Sequence, residues 1–261
     1  MQVIDQMKRK VELKTRPLRI ISLVPSQTEL LYDLGLSQEV VGITKFCIYP
    51  NEWFRSKTRV GGTKNANLEL IKSLQADLII GNKEENSESD ILALQAIAPV
   101  WMSDIYTFQD AYEMMQSLGD ICGKANEAKA LISKIKSSFE QYQKPQIEST
   151  AIYLIWNDPL MAAAKNTFID ESLQQFGLTN FYREENRYPL CDPSQGKHPD
   201  YVLLSSEPFP FGQKHIIEIQ EHYPNSKILL VDGEMFSWYG SRMKFLADYF
   251  EKLKVKLKSF N

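Results

Sequence analysis

The chain has few of the side chains from which many small sites are built: three cysteines and three histidines among 261 residues. Cys47, Cys122 and Cys191 stand at unrelated spacings, and no Cys-x-x-Cys pair occurs. This pattern argues against a disulfide framework or a structural zinc site. It predicts reduced thiols and therefore a reducing compartment.

Long apolar runs and strongly basic stretches are also lacking. No run approaches the roughly 20 residues of a membrane span, and the segment before Pro17 is basic without the apolar centre of a secretory signal. A net charge of -3 gives no electrostatic basis for binding nucleic acid. These features predict no membrane insertion and a cytoplasmic location. A start site further upstream would restore an export signal and a periplasmic location.

Motifs for catalysis and for metal binding are lacking as well. Gly61-Gly62-Thr63-Lys64 does not have the spacing of a phosphate-binding loop, and no Gly-x-Ser-x-Gly elbow occurs. His215 and His222 are seven residues apart, about two helical turns, which is too far for both to hold one ion. We therefore predict no enzyme, no catalytic residue, no intrinsic cofactor and no metal site.

What the chain does contain is one strand–helix pattern, written twice. An apolar strand at Leu18–Val24 leads to a helix that stops at Gly35, and a second at Ala151–Trp156 leads to a helix that stops at Gly177. In each half a further strand is predicted directly after an aspartate, Asp77 in the first and Asp200 in the second. We predict an α/β protein of two Rossmann-like lobes with parallel-sheet cores, and a ligand in the cleft between them.

Helical periodicity in the middle of the chain predicts how the lobes are joined. Apolar residues recur at helical spacing from Phe108 to Gly119 and again up to Tyr142. The predicted organisation is an N-terminal extension (1–17), an N-terminal lobe (18–120), a long linking helix (121–146) and a C-terminal lobe (147–261). Locally, Ser26-x-x-Glu29 predicts a capping box and Asn67 a helix cap, and residues 181–199 are predicted to form a loop with a short helical turn.

Several motifs in a fixed order carry a resemblance to a known family. They are Arg19–Leu30, Tyr49-Pro50, Val60–Ile71, Ala76–Ile80, Trp156–Met161 and Thr167–Ile169. From about Leu18 to Phe250 the chain resembles the substrate-binding proteins of ABC importers, in the helical-backbone (class III) branch that binds cobalamin and ferric siderophores. The resemblance implies two lobes joined by a long rigid helix and a cleft that closes little. It also implies an ABC permease as partner and a small-molecule metal chelate, cobalamin or an iron–siderophore complex, as transported ligand.

The resemblance also implies docking residues. Exported family members carry one surface glutamate on each lobe, which meets arginines of the permease. Glu69, in Asn67-Leu68-Glu69, matches the first of these. The second has no clean match, because the corresponding helix is replaced here by the short Leu190–Gly196 segment, in which Asp192 is the nearest acid.

Ligand contacts are predicted on the loops that leave the carboxyl ends of the strands, because ligands of open α/β sheets bind there. The second lobe's loops are rich in large aromatic residues, which suit a large and partly apolar ligand such as a corrin or a siderophore. Arg242 is expected to meet an anionic group at a helix N-terminus. Phe209 and Phe211 fit either a ligand site or packing beneath loops. The predicted ligand-binding residues are Ser26, Tyr49, Trp156, Tyr188, Phe236, Trp238, Tyr239 and Arg242.

Two other functions fit the same sequence. One is a cytosolic protein that sequesters or delivers a corrinoid or another chelate, and the other is an interaction module that kept the fold and lost the ligand. A monomer is expected in each case, since one ligand per two-lobed chain needs no second copy.

Overall fold

The chain forms two compact units, and the computed structural model describes residues 1–145, 148–196 and 198–259. Unit 1 consists of Met1–Ile105, Gln109–Ser137 and Tyr239–Lys244. Unit 2 consists of Tyr106–Phe108, Ser138–Trp238 and Phe245–Asn261.

Unit 1 is built on a five-stranded sheet with the strand order β5-β4-β3-β8-β9, and every neighbouring pair in it is parallel. Two short antiparallel pairs, β1 with β2 and β6 with β7, accompany it. The strands are β1 (Gln2–Ile4), β2 (Lys10–Glu12), β3 (Ile20–Ser22), β4 (Val40–Ile43), β5 (Thr58–Arg59), β6 (Gly61–Gly62), β7 (Asn65–Ala66), β8 (Leu78–Asn82) and β9 (Val100–Ser103).

Unit 2 is built on a mixed sheet with the order β11-β10-β13-β14, in which β12 also pairs with β10. The pairs of β13 with β10 and β14 are parallel, and β11 returns antiparallel to β10. Its strands are β10 (Thr150–Trp156), β11 (Met161–Ala163), β12 (Thr179–Asn180), β13 (Tyr201–Ser205) and β14 (Lys227–Val231).

Helices connect the strands in both units. The α-helices are α1 (Pro25–Asp33), α2 (Asn51–Ser56), α3 (Leu68–Ser73), α4 (Glu88–Gln95), α5 (Phe108–Ile121), α6 (Ala125–Gln141), α7 (Phe168–Phe176), α8 (Gln213–His222), α9 (Gly233–Ser237) and α10 (Leu246–Lys258). Short 3₁₀ turns occupy Pro193–Gln195 and Ser241–Phe245. Within the described ranges, each helix is too short or too polar to cross a bilayer.

The predicted fold class is confirmed. All residues of β3, β8 and β13 are buried, as expected for strands covered on both faces by helices. Gly35 and Gly177 end α1 and α7 with φ values of 76° and 109°, which favour glycine because it lacks a Cβ. The Asn67 side chain caps α3 by accepting a hydrogen bond from the Leu70 N–H at 3.0 Å, also as predicted.

Two local predictions differ from the structure. The α1 helix starts at Pro25 after Val24, so Ser26 lies inside its first turn and forms no capping box. The helix predicted at 121–146 is shorter, since Gly123 adopts a φ of 68° before α6 begins at Ala125, and residues 146–147 lie outside the described ranges. That this helix joins the lobes, and that a ligand lies between them, stay predictions.

Two placements were not anticipated. The first residues, predicted as an extension, form the β1–β2 hairpin of unit 1. The segment Tyr239–Lys244, predicted within the C-terminal lobe, belongs to unit 1, where Arg242 and Lys244 pair with acids of α1.

Candidate functional site

Beneath the carboxyl edge of the unit 1 sheet lies a network of buried polar side chains. The Gln27 amide donates to the Ser103 hydroxyl at 2.5 Å, and the Asn82 amide donates to the same oxygen at 2.9 Å. All three residues are buried. Because buried polar groups are costly unless paired, these side chains are committed to holding the ends of β8 and β9.

Tyr239 and Ser26, two predicted ligand contacts, lie in this buried layer. Tyr239 is 5% exposed and its hydroxyl lies 3.3 Å from a Glu85 carboxylate oxygen, to which it donates. Burial raises the pKa of Tyr239 well above its ordinary value, and the nearby Glu85 carboxylate raises it further. Ser26 is 3% exposed. Both side chains are buried, and their contact with a ligand stays a prediction.

Arg242 is paired within unit 1 rather than presented to an anion. Its Nε donates to Glu29 Oε2 at 2.8 Å and its Nη2 donates to Oε1 at 3.2 Å, a bidentate geometry. The guanidinium also lies over the Tyr49 ring, 4.6 Å from its centroid. The charge of Arg242 is already matched by Glu29, and its contact with an anionic group stays a prediction. Tyr49 remains 40% exposed above this pair.

The carboxyl edge of the unit 2 sheet has a different character, because aromatic residues are exposed there. Trp156, the last residue of β10, is 42% exposed, and its indole N–H donates to the Asp158 carbonyl at 3.1 Å. The Phe209 ring meets it edge to face at 5.7 Å. Phe209 in turn contacts Phe211 and His215, whose Nδ1 accepts the Gly212 N–H at 2.8 Å. The edge therefore presents an aromatic surface supported by a second aromatic layer.

Trp238 is held in place by a carboxylate. Its indole N–H donates to Glu207 Oε1 at 2.8 Å, and the Ser237 hydroxyl donates to the same oxygen at 2.6 Å. Trp238 is half-buried. By contrast Phe236, two residues earlier, is fully buried and packs on Tyr153 at 5.1 Å. Phe236 is thus a core residue, contrary to its predicted place among the ligand contacts.

The segment that carries Tyr188 lies along the outer side of β11. The Ala162 and Ala164 N–H groups donate to the carbonyls of Pro189 and Arg187 at 3.1 and 2.7 Å. Residues predicted as a loop thus form isolated backbone bridges beside β11 and no strand of their own. The Arg187 guanidinium lies 5.6 Å from the ring centroids of both Tyr106 and Tyr188.

Sequence reasoning missed some residues of the unit 2 edge. Leu190 is 63% exposed and bridges to Met161 next to Trp156. The anchoring role of Glu207 was also missed, although its place directly after β13 was a usable signal. Leu190 lies at this edge because its segment pairs with β11, and no local sequence pattern predicts that pairing.

The predicted docking residues lie at the surface. Glu69 is exposed in the first turn of α3. Asp192 is exposed too, and its carboxylate accepts hydrogen bonds from the Ser194 N–H and hydroxyl at 3.0 and 2.5 Å. Asp192 thus caps the 3₁₀ turn that follows it.

Among the described residues, no group of three or more His, Cys, Asp or Glu side chains is placed to hold a metal ion. His215 is 5% exposed and His222 lies on the surface at the end of α8. Burial raises the pKa of Cys191 to about 11 and that of Cys122 to about 12.

Two α/β units whose sheets end in such polar and aromatic edges define a protein built to bind a solute. Residues 20–220 match the family model described as periplasmic binding protein, and the chain belongs to that family.

Relatives and solved structures agree with this assignment. An "Uncharacterized ABC transporter substrate-binding lipoprotein YvrC" of Bacillus subtilis is 29% identical over 77% of this chain and 68% of its own. A vitamin B12-binding protein of Photorhabdus laumondii is 24% identical over 90% and 87%.

Among solved structures, a possible iron-binding solute-binding protein of Staphylococcus epidermidis has a TM-score of 0.78 at 20% identity, covering 93% of this chain and 99% of that one. The periplasmic haem-binding protein HutB of Vibrio cholerae has a TM-score of 0.78 at 17% identity, covering 92% and 98%. These likenesses show the fold.

The comparisons bear on three further predictions. The relatives and structural neighbours are binding proteins, in line with the expectation of no enzyme. They do not favour the cytosolic chelate-handling protein or the ligand-free module. Nor do they support the predicted cytoplasmic location, since the family is that of periplasmic binding proteins and one relative is a lipoprotein.

Proposed function

We propose that this protein is the solute receptor of an ABC importer and that its solute is a large, partly apolar metal chelate of the corrinoid, haem or ferric-siderophore kind. The family membership supports the receptor role. The names of the relatives, which include vitamin B12-binding and haem-binding proteins, support the ligand class. On this proposal the protein works outside the cytoplasm, where an importer collects its solute.

The single observation that carries the ligand class is the exposed aromatic edge of unit 2. Trp156 is 42% exposed and is stiffened by its own indole hydrogen bond and by Phe209. Exposed aromatic surface is costly in water and suits a broad, flat or apolar partner. A ring held rigid before binding also loses little entropy on binding, which favours affinity.

The placement of the histidines supports a ligand that brings its own metal donors. His215 is buried, and its Nδ1 already accepts a hydrogen bond from Gly212. The described residues also include no group of three or more His, Cys, Asp or Glu side chains that could hold an ion by themselves. This favours a coordinatively complete corrinoid or siderophore complex over a bare ion.

The proposed ligand contacts come from each unit separately. In unit 2 they are Trp156, Trp238 and Tyr188, to which we add Leu190. In unit 1 the exposed Tyr49 is the direct contact, and Arg242 supports it from beneath. Glu69 and Asp192 are proposed to dock on the permease of the importer.

The test is a binding titration with cyanocobalamin, haemin and a ferric hydroxamate, in which binding is monitored by thermal unfolding and by tryptophan fluorescence. A ligand at about a hundred times its dissociation constant adds roughly 2.7 kcal/mol of stability. We expect a saturable rise in melting temperature with one of the three. Absence of a shift with all three would contradict the proposed ligand class.

A matched control separates the site from the general surface. Ile217, on α8, is 72% exposed and thus an apolar surface residue like Trp156. We expect Ile217→Ala to keep the ligand response. Equal weakening by Ile217→Ala and Trp156→Ala would contradict the placement of the site at the unit 2 edge.

A further inference from the structure

The last strand of the unit 1 sheet has an outer side that a second strand could pair with. In a parallel sheet, the N–H and C=O of one residue point to the same side, and successive residues alternate. The carbonyls of Pro99 and Ser103 accept hydrogen bonds from Ile79 of β8 and from Lys83, the residue after it. The backbone groups of Val100, Met102 and Asp104 therefore face away from the sheet.

The hairpin at the start of the chain occupies four of these outward groups. The Gln6 N–H donates to the Met102 carbonyl at 3.1 Å, and the Met102 N–H donates to Asp5 Oδ2 at 3.3 Å. The Asp104 N–H donates to Gln6 Oε1 at 3.2 Å. The fourth group, the Val100 carbonyl, accepts from Arg9 Nη2 at 3.2 Å. These four groups are thus bonded to residues of the hairpin turn.

The turn is built to hold those residues in position. The Asp5 carboxylate is 2% exposed and accepts the Arg9 N–H and Nε, each at 2.8 Å. The Asp5 N–H donates to the Arg9 carbonyl at 3.0 Å and closes the hairpin. Val11 and Leu13, at 5% and 3% exposure, anchor the returning strand in the core. The hairpin is therefore fixed at both ends.

The strand beneath the hairpin would associate readily if it were exposed. Val100-Trp101-Met102-Ser103 carries no charge, and its first residues are strong strand formers. Uncharged edge strands are templates for pairing with another chain, and natural proteins protect them. Two copies of the same edge can pair antiparallel about a twofold axis, so that each satisfies the other's outward groups.

We propose that the hairpin Met1–Leu13 is a cover over a concealed self-association edge, β9, and that the partner it excludes is the β9 strand of a second copy. The cover keeps the protein monomeric. This role is independent of the ligand and would stand if the proposed ligand class failed.

The test uses the full chain with the variant Asp5→Ala/Gln6→Ala/Arg9→Ala, which removes the three side chains that reach β9. The control is Gln2→Ala/Lys10→Ala/Glu12→Ala, in which three exposed side chains of the same hairpin are removed. We expect sedimentation velocity to show a concentration-dependent dimer for the first variant and a monomer for the control. Hydrogen exchange of the Met102 and Asp104 amides should accelerate at least about tenfold at dilutions where the variant is monomeric.

The outcomes separate cleanly. A variant that stays monomeric at every concentration although its Met102 amide exchanges faster overturns the concealed edge, and unchanged exchange at Met102 overturns the cover. If the amides of Ile79 and Ile80 accelerate equally, the triple variant has unfolded, and Gln6→Ala alone becomes the test. That variant removes the acceptor of Asp104 and leaves Asp5 on Met102, so only the Asp104 amide should accelerate. Unchanged exchange at Asp104 would overturn the cover itself.

Discussion

The carboxyl edges of the two sheets differ in how their side chains are used. In unit 1 the polar groups are bonded to one another, as in the Arg242–Glu29 pair and the hydrogen bond from Tyr239 to Glu85. In unit 2 the edge is aromatic, and Trp156 is 42% exposed. The same strand–helix pattern therefore builds one edge whose polar side chains are mostly bonded to one another and one that still has apolar surface to bury.

This difference indicates a division of labour. Hydrogen-bonded buried groups fix a shape, because each would be costly if its partner moved. Exposed aromatic groups gain free energy when a partner covers them. We infer that unit 1 contributes mainly a fixed surface around Tyr49, and that unit 2 contributes most of the apolar affinity for the ligand.

The largest expected effect contrasts two aromatic residues of unit 2. Phe236→Ala should lower the free energy of unfolding by about 4 kcal/mol, because it opens a cavity in the core. Trp156→Ala should change stability by less than about 1 kcal/mol, since 42% of Trp156 is already exposed at the surface. Urea denaturation measures both. Similar losses for the two variants would contradict the distinction between core and site.

The next effect probes the paired edge of unit 1. Glu29→Ala leaves the nearly buried Arg242 without its carboxylate and should cost about 3 kcal/mol of unfolding free energy. The matched control is Glu184→Ala, which removes the partner of the exposed Arg183 and should cost less than about 0.5 kcal/mol. Equal costs in urea denaturation would show that Arg242 is not held by Glu29.

A smaller effect concerns Cys191 of unit 2 and the dependence of the free energy of unfolding on pH. Burial raises the pKa of Cys191 to about 11 from 9.0, so the folded state keeps a proton that the unfolded state loses. Stability from this group is thus fully present below pH 9 and is lost as the pH rises towards 11. Cys191→Ala should flatten that decline by about 2 kcal/mol. If the free energy of unfolding of the variant fell with pH as steeply as that of the wild-type protein, the raised pKa of Cys191 would be contradicted.

Alkylation rates give the matching comparison between units. The half-buried Cys191 should react with iodoacetamide before the fully buried Cys122, whose pKa is raised to about 12. Mass spectrometry of the digested protein measures the order. Labelling of Cys122 before Cys191 would contradict the prediction that the more accessible thiol is the one in unit 2.

Much of the fold could be predicted from the sequence, because its signals are local. The buried runs at β8 and β13 and the glycine stops at Gly35 and Gly177 act over a few residues. The β1–β2 hairpin escaped prediction because it is held by contacts with β9, almost a hundred residues away. Its own strands are only three residues long.

The candidate site was less predictable for the same physical reason. Composition identified aromatic loops, but it could not tell the core ring of Phe236 from the exposed ring of Trp156. Arg242 was read as an available cation because its partner, Glu29, lies 213 residues earlier in the chain. Burial and pairing of this kind depend on tertiary packing, which spacing along the sequence does not encode.

The most direct measurement of the central claim is a titration of the wild-type protein and of Trp156→Ala with cyanocobalamin and haemin, followed by tryptophan fluorescence. We expect saturable quenching of the wild-type protein by one of these chelates. We also expect a loss of at least about tenfold in affinity for Trp156→Ala, equivalent to about 1.4 kcal/mol. Equal affinity of the two proteins for that chelate would contradict the claim that the aromatic edge of unit 2 binds the ligand.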